Sequence, residues 1–356
     1  MGKHRNRRHP WLPSAVLLAG AAVCLFAYEI TALSIFATAP PRDPAATSAV
    51  PKASLRLMAP FGPAFAGAIV AESAGLFERN GIRVKSEAGG DENDPIAAVV
   101  NGSDTFGITR ADAFLLARAK GARIVAFASG FVEGSAVFYV LQKSEIQTPR
   151  DFAGHRVGRR SGDDTSIIYD ALVAKLGLPQ SRITEVPVAT DLSALLTGAV
   201  DVWPGHVGDE DYTLEQKKLP YIVISPASFG VHAIGTVYFT TEQTIAEQPQ
   251  LVRNFLAGLI AGWDMVYRDY AISVPMIRSF DQNRLSANYV RFVLDRQRPY
   301  LRPMAVRYGD FDDQQWLSLE NTLLSQRLLK RTVDLPEAVT HDVLRDVYRK
   351  PLTFGE

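Results

Sequence analysis

The chain has 356 residues, of which 47% are hydrophobic and 21% are charged, and this length suits one large or two medium globular domains. The 38 Lys and Arg residues balance the 38 Asp and Glu residues, and they are not clustered as a nucleic-acid surface requires, so we expect no nucleic-acid partner. The single cysteine, Cys24, excludes a disulfide framework within one chain, a cysteine zinc cluster and a cysteine redox pair.

The N-terminal segment predicts export. A basic run from Lys3 to Arg8 precedes an apolar run from Ser14 to Ala27, in the order that signal peptides use. Residues 1–39 are therefore either a signal peptide or an N-terminal membrane anchor, and Glu29 interrupts the roughly 20 apolar residues that a membrane span needs. Both alternatives place the body in the periplasm or tethered to the outer face of the cytoplasmic membrane. Residues 40–54 are a linker rich in Pro, Ala, Ser and Thr.

The body opens with a strand–helix–strand unit from Leu55 to Lys85. Its first apolar run stops at Pro60, and apolar residues then recur near helical spacing from Ala64 to Phe77. The order of strand, glycine-containing loop and helix recurs further along the chain, which is typical of an α/β fold. From Glu242 onward the pattern is helical, beginning with one long amphipathic helix over Pro249–Tyr267.

Two strands are predicted to join two lobes. Ala136–Leu141 is a long apolar run with no helix before it, and Thr236–Thr240 mirrors it. We predict that these strands cross between a first lobe, residues 55–138 plus 240–356, and a second lobe, residues 139–239. Two crossing strands make a hinge and leave a cleft, and clefts between domains are preferred ligand sites.

Several stretches, taken in order, resemble the substrate-binding components of ABC importers for nitrate, sulfonate, taurine and thiamine-pyrimidine precursors. They are GLFERNGIRVK, AAVVNGSDTFGI, LLARAKGARIVAF, DFAGHRVGRRSGDDTS, LLTGAVDVWPGH and QLVRNFLAGLIAGWDMVYRD. The resemblance covers residues 54–280 and implies the α/β fold of a periplasmic binding protein of type II, with two α/β lobes joined by a two-strand hinge. It also implies a small-molecule solute as ligand, ABC permease and ATPase subunits as partners, and no cofactor or metal.

First-lobe candidates for ligand contact lie in loops after predicted strands, where parallel sheets bind ligands. Phe61 could stack on a planar ligand or pack under its own loop; pyrimidine-binding relatives carry a tryptophan-containing loop near here, which this chain lacks. The glycines of the next loop could admit a ligand to backbone N–H groups or only make a turn. Arg110 could offset an anion or form a surface salt bridge. The candidates are Phe61, Gly62, Gly89, Gly90, Asp91 and Arg110.

Second-lobe candidates lie before a predicted helix and at the exit of a buried strand. The helix N-terminus would suit an anion, but Asp163 caps the helix or repels an anionic ligand unless Arg160 turns inward. Glu210 could accept hydrogen bonds from an N–H-rich ligand or be a solvated acid, and His206 could contact a ligand or lie on the surface. The candidates are Arg160, Ser161, Gly162, Asp163, Thr165, Trp203, His206 and Glu210.

These observations favour a solute-binding receptor of an ABC importer, not an enzyme, for a pyrimidine-type solute, a sulfonate or a related molecule. One alternative is an enzyme like the thiamine-pyrimidine synthases, which share this fold. Resemblance to them implies a pyridoxal phosphate on a lysine beside a histidine, with a cysteine-rich iron cluster, but Cys24 lies in the apolar leader. Another alternative is a membrane-tethered solute sensor, which an uncleaved anchor would favour.

Overall fold

The computed structural model describes Met1 and residues 50–90, 92–303 and 306–349. The chain divides into two compact units, residues 1–49 and 50–356, and all described residues except Met1 belong to the second. The predicted signal peptide or membrane anchor and most of the predicted linker lie outside the described residues. Within the described ranges, no helix is both long enough and apolar enough to cross a membrane.

Lobe one is built on a mixed sheet whose five strands are β1 (Lys52–Arg56), β2 (Arg83–Glu87), β3 (Phe106–Arg110), β4 (Ile124–Ser129) and β10 (Thr236–Thr241). Their order across the sheet is β2–β1–β3–β10–β4. β1 pairs in parallel with β2 and β3, as the strand–helix–strand pattern predicts, and β10 runs antiparallel to β3 and β4. The first strand begins at Lys52, within the range assigned to the linker.

Lobe two is built on a second mixed sheet, whose five strands are β5 (Ala136–Leu141), β6 (Arg156–Arg159), β7 (Thr184–Pro187), β8 (Val202–His206) and β9 (Tyr221–Ile224). Their order is β7–β6–β8–β5–β9. β6 pairs in parallel with β7 and β8, whereas β5 runs antiparallel to β8 and β9. The two sheets therefore have the same design, with one antiparallel strand set among parallel ones, and the α/β architecture of two lobes is confirmed.

Helices cover both sheets and dominate the C-terminal third of the chain. Five single turns of 3-10 helix lie at Pro63–Phe65, Gln142–Ser144, Pro149–Phe152, Gln180–Arg182 and Pro226–Phe229. The first seven α-helices are α1 (Ala66–Ser73), α2 (Leu76–Arg79), α3 (Pro95–Val100), α4 (Ala111–Ala119), α5 (Asp164–Leu176), α6 (Ser193–Leu196) and α7 (Asp209–Gln216). The others are α8 (Glu242–Glu247), α9 (Pro249–Arg268), α10 (Tyr270–Phe280), α11 (Ala287–Leu301), α12 (Asp313–Ser325), α13 (Leu335–Ala338) and α14 (Asp342–Arg349).

The chain crosses between the lobes in two segments, residues 130–135 and 225–235. They run side by side, since the Gly134 N–H donates to the Ala233 carbonyl at 2.7 Å and the Gly235 N–H donates to the Phe131 carbonyl at 3.2 Å. The strands predicted to cross lie beyond these segments: β5 pairs only within the second sheet and β10 only within the first. The hinge is thus formed by the short segment that precedes each of these strands.

The core of lobe one forms where α9 lies against α1 and the sheet. Its aromatic centre is Phe255 of α9, stacked on Phe106 of β3 with ring centroids 4.1 Å apart, and both rings are fully buried. Glycines let the two helices come close: a Cβ at Gly262 would lie 2.0 Å from the carbonyl oxygen of Gly67. Backbone contact therefore sets how closely α1 and α9 approach each other.

Two C-terminal helices contact both lobes. α11 lies against the turn Pro63–Phe65 of lobe one and against α7 of lobe two. α12 lies against α4 of lobe one and α5 of lobe two, and the Gln326 side chain just after it donates a hydrogen bond of 2.8 Å to the carbonyl of Ile167. The helical segment after residue 280 therefore contacts both lobes.

Candidate functional site

A cavity of about 450 Å³ lies between the lobes, next to the hinge. Lobe one contributes the loop after β1 and the end of β3, and lobe two contributes the start of α5 and the exit of β8. Carboxyl ends of parallel strands face such clefts in open α/β sheets. Helix α11 forms a further wall. The polar side chains that line the cavity are Arg110, Ser135, Asp163, Asp164, His206, Asp209, Thr236, Tyr289 and Gln297.

A second, more open groove of about 670 Å³ lies between the hinge, lobe two and α11. Its buried acid, Asp211, already accepts hydrogen bonds from the hydroxyls of Tyr139 at 2.8 Å and Tyr221 at 3.1 Å. Arg296, also in its wall, pairs with Glu215. None of the described strand ends of lobe one lines this groove, whereas both lobes line the interlobe cavity, so the interlobe cavity is the stronger candidate site.

Phe61 and Gly62 lie in the loop after β1 and line the cavity. The half-buried ring of Phe61 meets the ring of Phe280 edge-on, with centroids 5.2 Å apart. Gly62 has an extended backbone and precedes the turn that starts at Pro63. The ring of Phe61 therefore packs against α10 and also borders the cavity, and its stacking on a planar ligand stays a prediction.

Arg110 at the end of β3 reaches across the cleft. Its guanidinium binds Asp112 through Nε at 3.1 Å and donates to the carbonyl oxygen of Gly162 in lobe two at 3.3 Å. Burial disfavours the guanidinium charge, but the carboxylates of Asp112, Asp164 and Asp163 outweigh it and raise the pKa of Arg110. Arg110 thus remains a cation that is already paired on both sides of the cleft.

The start of α5 and the exit of β8 form an acid–imidazole pair. Asp163 caps α5, since its carboxylate accepts the Thr165 N–H at 2.8 Å, and the carboxylate of Asp164 lies 2.9 Å from Nε2 of His206. Burial opposes the imidazolium, yet Asp164 outweighs burial and raises the pKa of His206 to about 9. In return, His206 holds the pKa of Asp164 below its usual range despite the burial of that carboxyl. At neutral pH the pair is therefore an imidazolium and a carboxylate.

These three side chains are also a possible metal-ligand set. One ligand atom each from Asp163, Asp164 and His206 lies within 4.8 Å of the others. To hold a divalent cation, His206 would have to lose its proton and its bond to Asp164, while the charge of Arg110 nearby repels the ion. The electrostatics of this corner therefore favour the ion pair over a metal.

Arg160, Trp203 and Glu210 lie together in the interior of lobe two. Nη2 of Arg160 donates to Glu210 at 3.2 Å, and its guanidinium carbon lies 5.1 Å from the centre of the Trp203 ring. Burial raises the pKa of Glu210, although His206 and Arg160 act against it. None of the three lines the cavity. Glu210 accepts the backbone N–H of His206 at 3.3 Å, so this cluster holds the His206 loop in place.

The other predicted site residues that the structure describes do not line the cavity. Gly89 must be a glycine, because a Cβ there would lie 1.8 Å from the carbonyl oxygen of Leu57. Gly162 has a positive φ of 75° and offers its carbonyl to the Arg110 guanidinium. Gly90 is half-buried, although a Cβ there would meet no atom within 4 Å, whereas Ser161 is exposed and Thr165 is buried. Asp91 lies outside the described residues.

Sequence reasoning missed the α11 wall and one member of the ion pair. Tyr289, Val293 and Gln297 line the cavity at intervals of four residues, the spacing that places side chains on one helix face, and Leu285 lines it from just before the helix. That spacing is visible in the sequence, but the sequence does not show whether this helix face packs against the core or lines a cavity. Asp164 follows the predicted Asp163 in the chain, and only its contact with His206 in the structure identifies it as a site residue.

Comparisons with known proteins fit this geometry. A family model described as NMT1/THI5 like matches residues 62–270, which is more than half of the chain. The 4-amino-5-hydroxymethyl-2-methylpyrimidine phosphate synthase of Schizosaccharomyces pombe is 25% identical over 207 residues, which cover 53% of this chain and 58% of that synthase. The chain thus spans less than two thirds of the length of this curated relative.

Solved structures share the fold. The periplasmic aliphatic sulphonate-binding protein SsuA of Escherichia coli superposes with a TM-score of 0.64 at 19% identity, covering 81% of this chain and 92% of that one. The alkanesulfonate-binding protein SsuA of Xanthomonas axonopodis pv. citri, bound to MOPS, gives 0.60 at 19% identity, covering 81% and 98%. At these identities the likeness establishes the two-lobed fold.

Proposed function

This chain belongs to the NMT1/THI5-like family, and we propose that it is a solute-binding receptor of an ABC importer. The observation that carries the proposal is the cavity of about 450 Å³ between two hinged lobes. Small-molecule sites in proteins typically enclose about 300–1,000 Å³. Capture of a small organic solute by closure of the lobes accounts for this cavity, and it needs no catalytic group.

The charges around the cavity support a pyrimidine-type solute over a sulfonate. The wall carries three carboxylates, Asp163, Asp164 and Asp209, against two cations, Arg110 and His206. Groups of both signs already have partners, since Arg110 binds Asp112, His206 binds Asp164 and Tyr289 donates to Asp209, so the excess of carboxylates is what disfavours an anion. Carboxylates accept hydrogen bonds from N–H groups and repel anions. Phe61 adds an aromatic edge for a planar ring. The sulfonate-binding proteins with the same fold make sulfonates the comparison that a binding assay must include.

The second candidate function is a synthase, because the curated relative is named as one. The resemblance implies a lysine-held pyridoxal phosphate for that chemistry. Among the described residues that line the cavity there is neither a lysine nor a cysteine, so these residues do not fit the cofactor. We therefore favour the receptor.

Partners and location follow from the receptor function. An importer receptor delivers its solute to permease and ATPase subunits and works in the periplasm. If residues 1–39 are not removed, they would tether the receptor to the outer face of the membrane, and the same body would then suit a solute sensor. Detecting Trp11 in the mature protein by mass spectrometry would exclude cleavage after it.

A thermal-shift screen followed by calorimetry tests the proposal. The panel is 4-amino-5-hydroxymethyl-2-methylpyrimidine, taurine, MOPS, nitrate and simple amines. A solute present at 100 times its dissociation constant stabilises the folded protein by about 2.7 kcal/mol, and we expect that from the pyrimidine. Stoichiometric consumption of pyridoxal phosphate would instead establish the synthase. A flat response to the whole panel would count against the receptor for these solute classes.

A further inference from the structure

Helix α11 forms a wall of the cavity although it lies beyond the segment that defines the family. The family model ends at residue 270, and α11 spans Ala287–Leu301. Tyr289, Val293 and Gln297 face the cavity from this helix at four-residue spacing. Side chains that discriminate among solutes can therefore come from a part of the chain that the family pattern does not contain.

Gln297 is the polar side chain of this wall that has a buried atom without a hydrogen bond. It is only 9% exposed, and its Oε1 has no hydrogen-bond partner among the described residues. Tyr289, two turns earlier, differs because its hydroxyl is bound to Asp209. A buried acceptor without a donor is unfavourable, and a ligand that supplies the donor removes that cost.

Resting on the proposed receptor function, we propose that Gln297 is a specificity-determining residue whose carboxamide oxygen accepts a hydrogen bond from an N–H group of the solute. The terminal torsion of a glutamine is broad, so the carboxamide can turn its oxygen towards a solute beside it. Nitrate, or a sulfonate without an amino group, has no proton to donate at neutral pH, so it could bind only the NH2 of the carboxamide and would leave the buried oxygen without a donor. The residue therefore selects amines, amides and amino-heterocycles.

A matched pair of probes tests this selection. The first is 4-amino-5-hydroxymethyl-2-methylpyrimidine and the second is its N,N-dimethylamino analogue, which has the same ring but no N–H on that nitrogen. By calorimetry, we expect the full-length protein to bind the amino probe about tenfold more tightly than the dimethyl probe, the size of one hydrogen bond in a desolvated site. In Gln297→Met we expect that ratio to fall to about one, through weaker binding of the amino probe.

Gln315→Met is the matched control. Gln315 in α12 also has a buried Oε1 without a partner among the described residues, but it does not line the cavity. We expect this variant to keep the wild-type ratio. Neither variant should melt below the wild-type temperature, because each replaces an unpaired buried oxygen by an apolar group of similar length.

The outcomes separate the two proposals. If Gln297→Met keeps the wild-type ratio, or if wild type does not distinguish the probes, Gln297 does not read an N–H group and the receptor function is untouched. If wild type binds nitrate, which has no N–H group, but neither pyrimidine, the donor-selective role is overturned while the receptor stands. If none of the wider panel binds, both proposals fail for these solutes.

Discussion

Arg110 and Gly162 belong to different lobes, and the guanidinium of Arg110 donates a hydrogen bond of 3.3 Å to the carbonyl oxygen of Gly162. Asp112, two residues after Arg110, fixes the guanidinium through a second contact. The positive φ of Gly162 belongs to the turn that presents its carbonyl to the cleft. Arg110 is thus a strut that joins the lobes beside the cavity while its charge is neutralised within lobe one.

Replacing this strut should weaken closure. In Arg110→Gln the charge-assisted bond to Gly162 is lost, and such bonds contribute about 1.5–3 kcal/mol, less where the group is partly exposed as here. We expect solute affinity to fall about 3- to 10-fold. Small-angle scattering of the solute-free variant should show a larger radius of gyration than that of wild type.

Arg156→Gln is the control for the strut. Arg156 makes a two-pronged pair with Asp201 within lobe two, at 2.7 and 3.1 Å, and neither residue lines the interlobe cavity. It should leave both the affinity and the scattering profile unchanged. Equal effects of the two variants would show that Arg110 acts through lobe stability and not through closure.

The close contact between α1 and α9 predicts that adding a side chain at Gly262 lowers the free energy of unfolding. In Gly262→Ala the new Cβ would lie 2.0 Å from the Gly67 carbonyl oxygen, and overpacking of this kind costs about 3 kcal/mol. Alanine gains back up to about 1 kcal/mol of helix propensity, so the net expectation is a loss of about 2 kcal/mol. Urea unfolding followed by circular dichroism measures it. Gly62→Ala should be nearly neutral because its nearest atom would be 4.0 Å away.

The pKa values of His206 and Asp164 set a pH window for the stability of lobe two. The pKa of His206 is raised to about 9 from about 6.5 unfolded, so its contribution is complete below about pH 6.5 and is lost as pH rises through 9. The lowered pKa of Asp164 contributes above its unfolded value near 4 and is lost as pH falls through its folded value. Melting temperatures across pH 4–10 should decline on the alkaline side.

His206→Gln checks the origin of that decline. The variant should melt at a lower temperature near neutral pH and lose most of the fall between pH 7 and 9. His341→Gln removes a histidine that pairs with Asp313 on the surface, outside the cavity, and should follow the wild-type profile. An unchanged alkaline decline in His206→Gln would assign the effect to other groups.

Local secondary structure could be predicted well from the sequence, whereas the long-range pairing of strands could not. The helix predicted over Pro249–Tyr267 is observed over Pro249–Arg268, because its amphipathic period and its initial proline are local signals. The sequence did not predict which sheet β5 and β10 would each join, because both strands look like similar apolar runs. Only the observed strand pairing shows that each strand lies wholly in one sheet.

The candidate site shows the same limit. Phe61, Arg110, Asp163 and His206 were found because loops after strands are where ligands bind, and all four line the cavity. Arg160 follows β6 in the loop that leads to Asp163, but its guanidinium pairs with Asp163 at 3.5 Å and with the buried Glu210 at 3.2 Å and does not line the cavity. The direction of a side chain depends on its packed neighbours, which spacing along the chain does not reveal.

Tyr289 of α11 joins the helix wall to lobe two, and its removal makes the last prediction. Its hydroxyl donates to Asp209 and its ring meets that of Tyr212 edge-on at 5.2 Å. Tyr289→Phe keeps the ring contact and deletes only the hydroxyl, so solute release, measured by stopped flow, should accelerate about 3- to 10-fold while association changes little.

Tyr270→Phe deletes a comparable Tyr–Asp bond, to Asp295 at 2.7 Å, that does not cross the lobes, and release should keep its wild-type rate. Equal acceleration in both variants would mean that α11 affects release through its own stability, whereas acceleration in Tyr289→Phe alone assigns the Tyr289–Asp209 bond to the closed state.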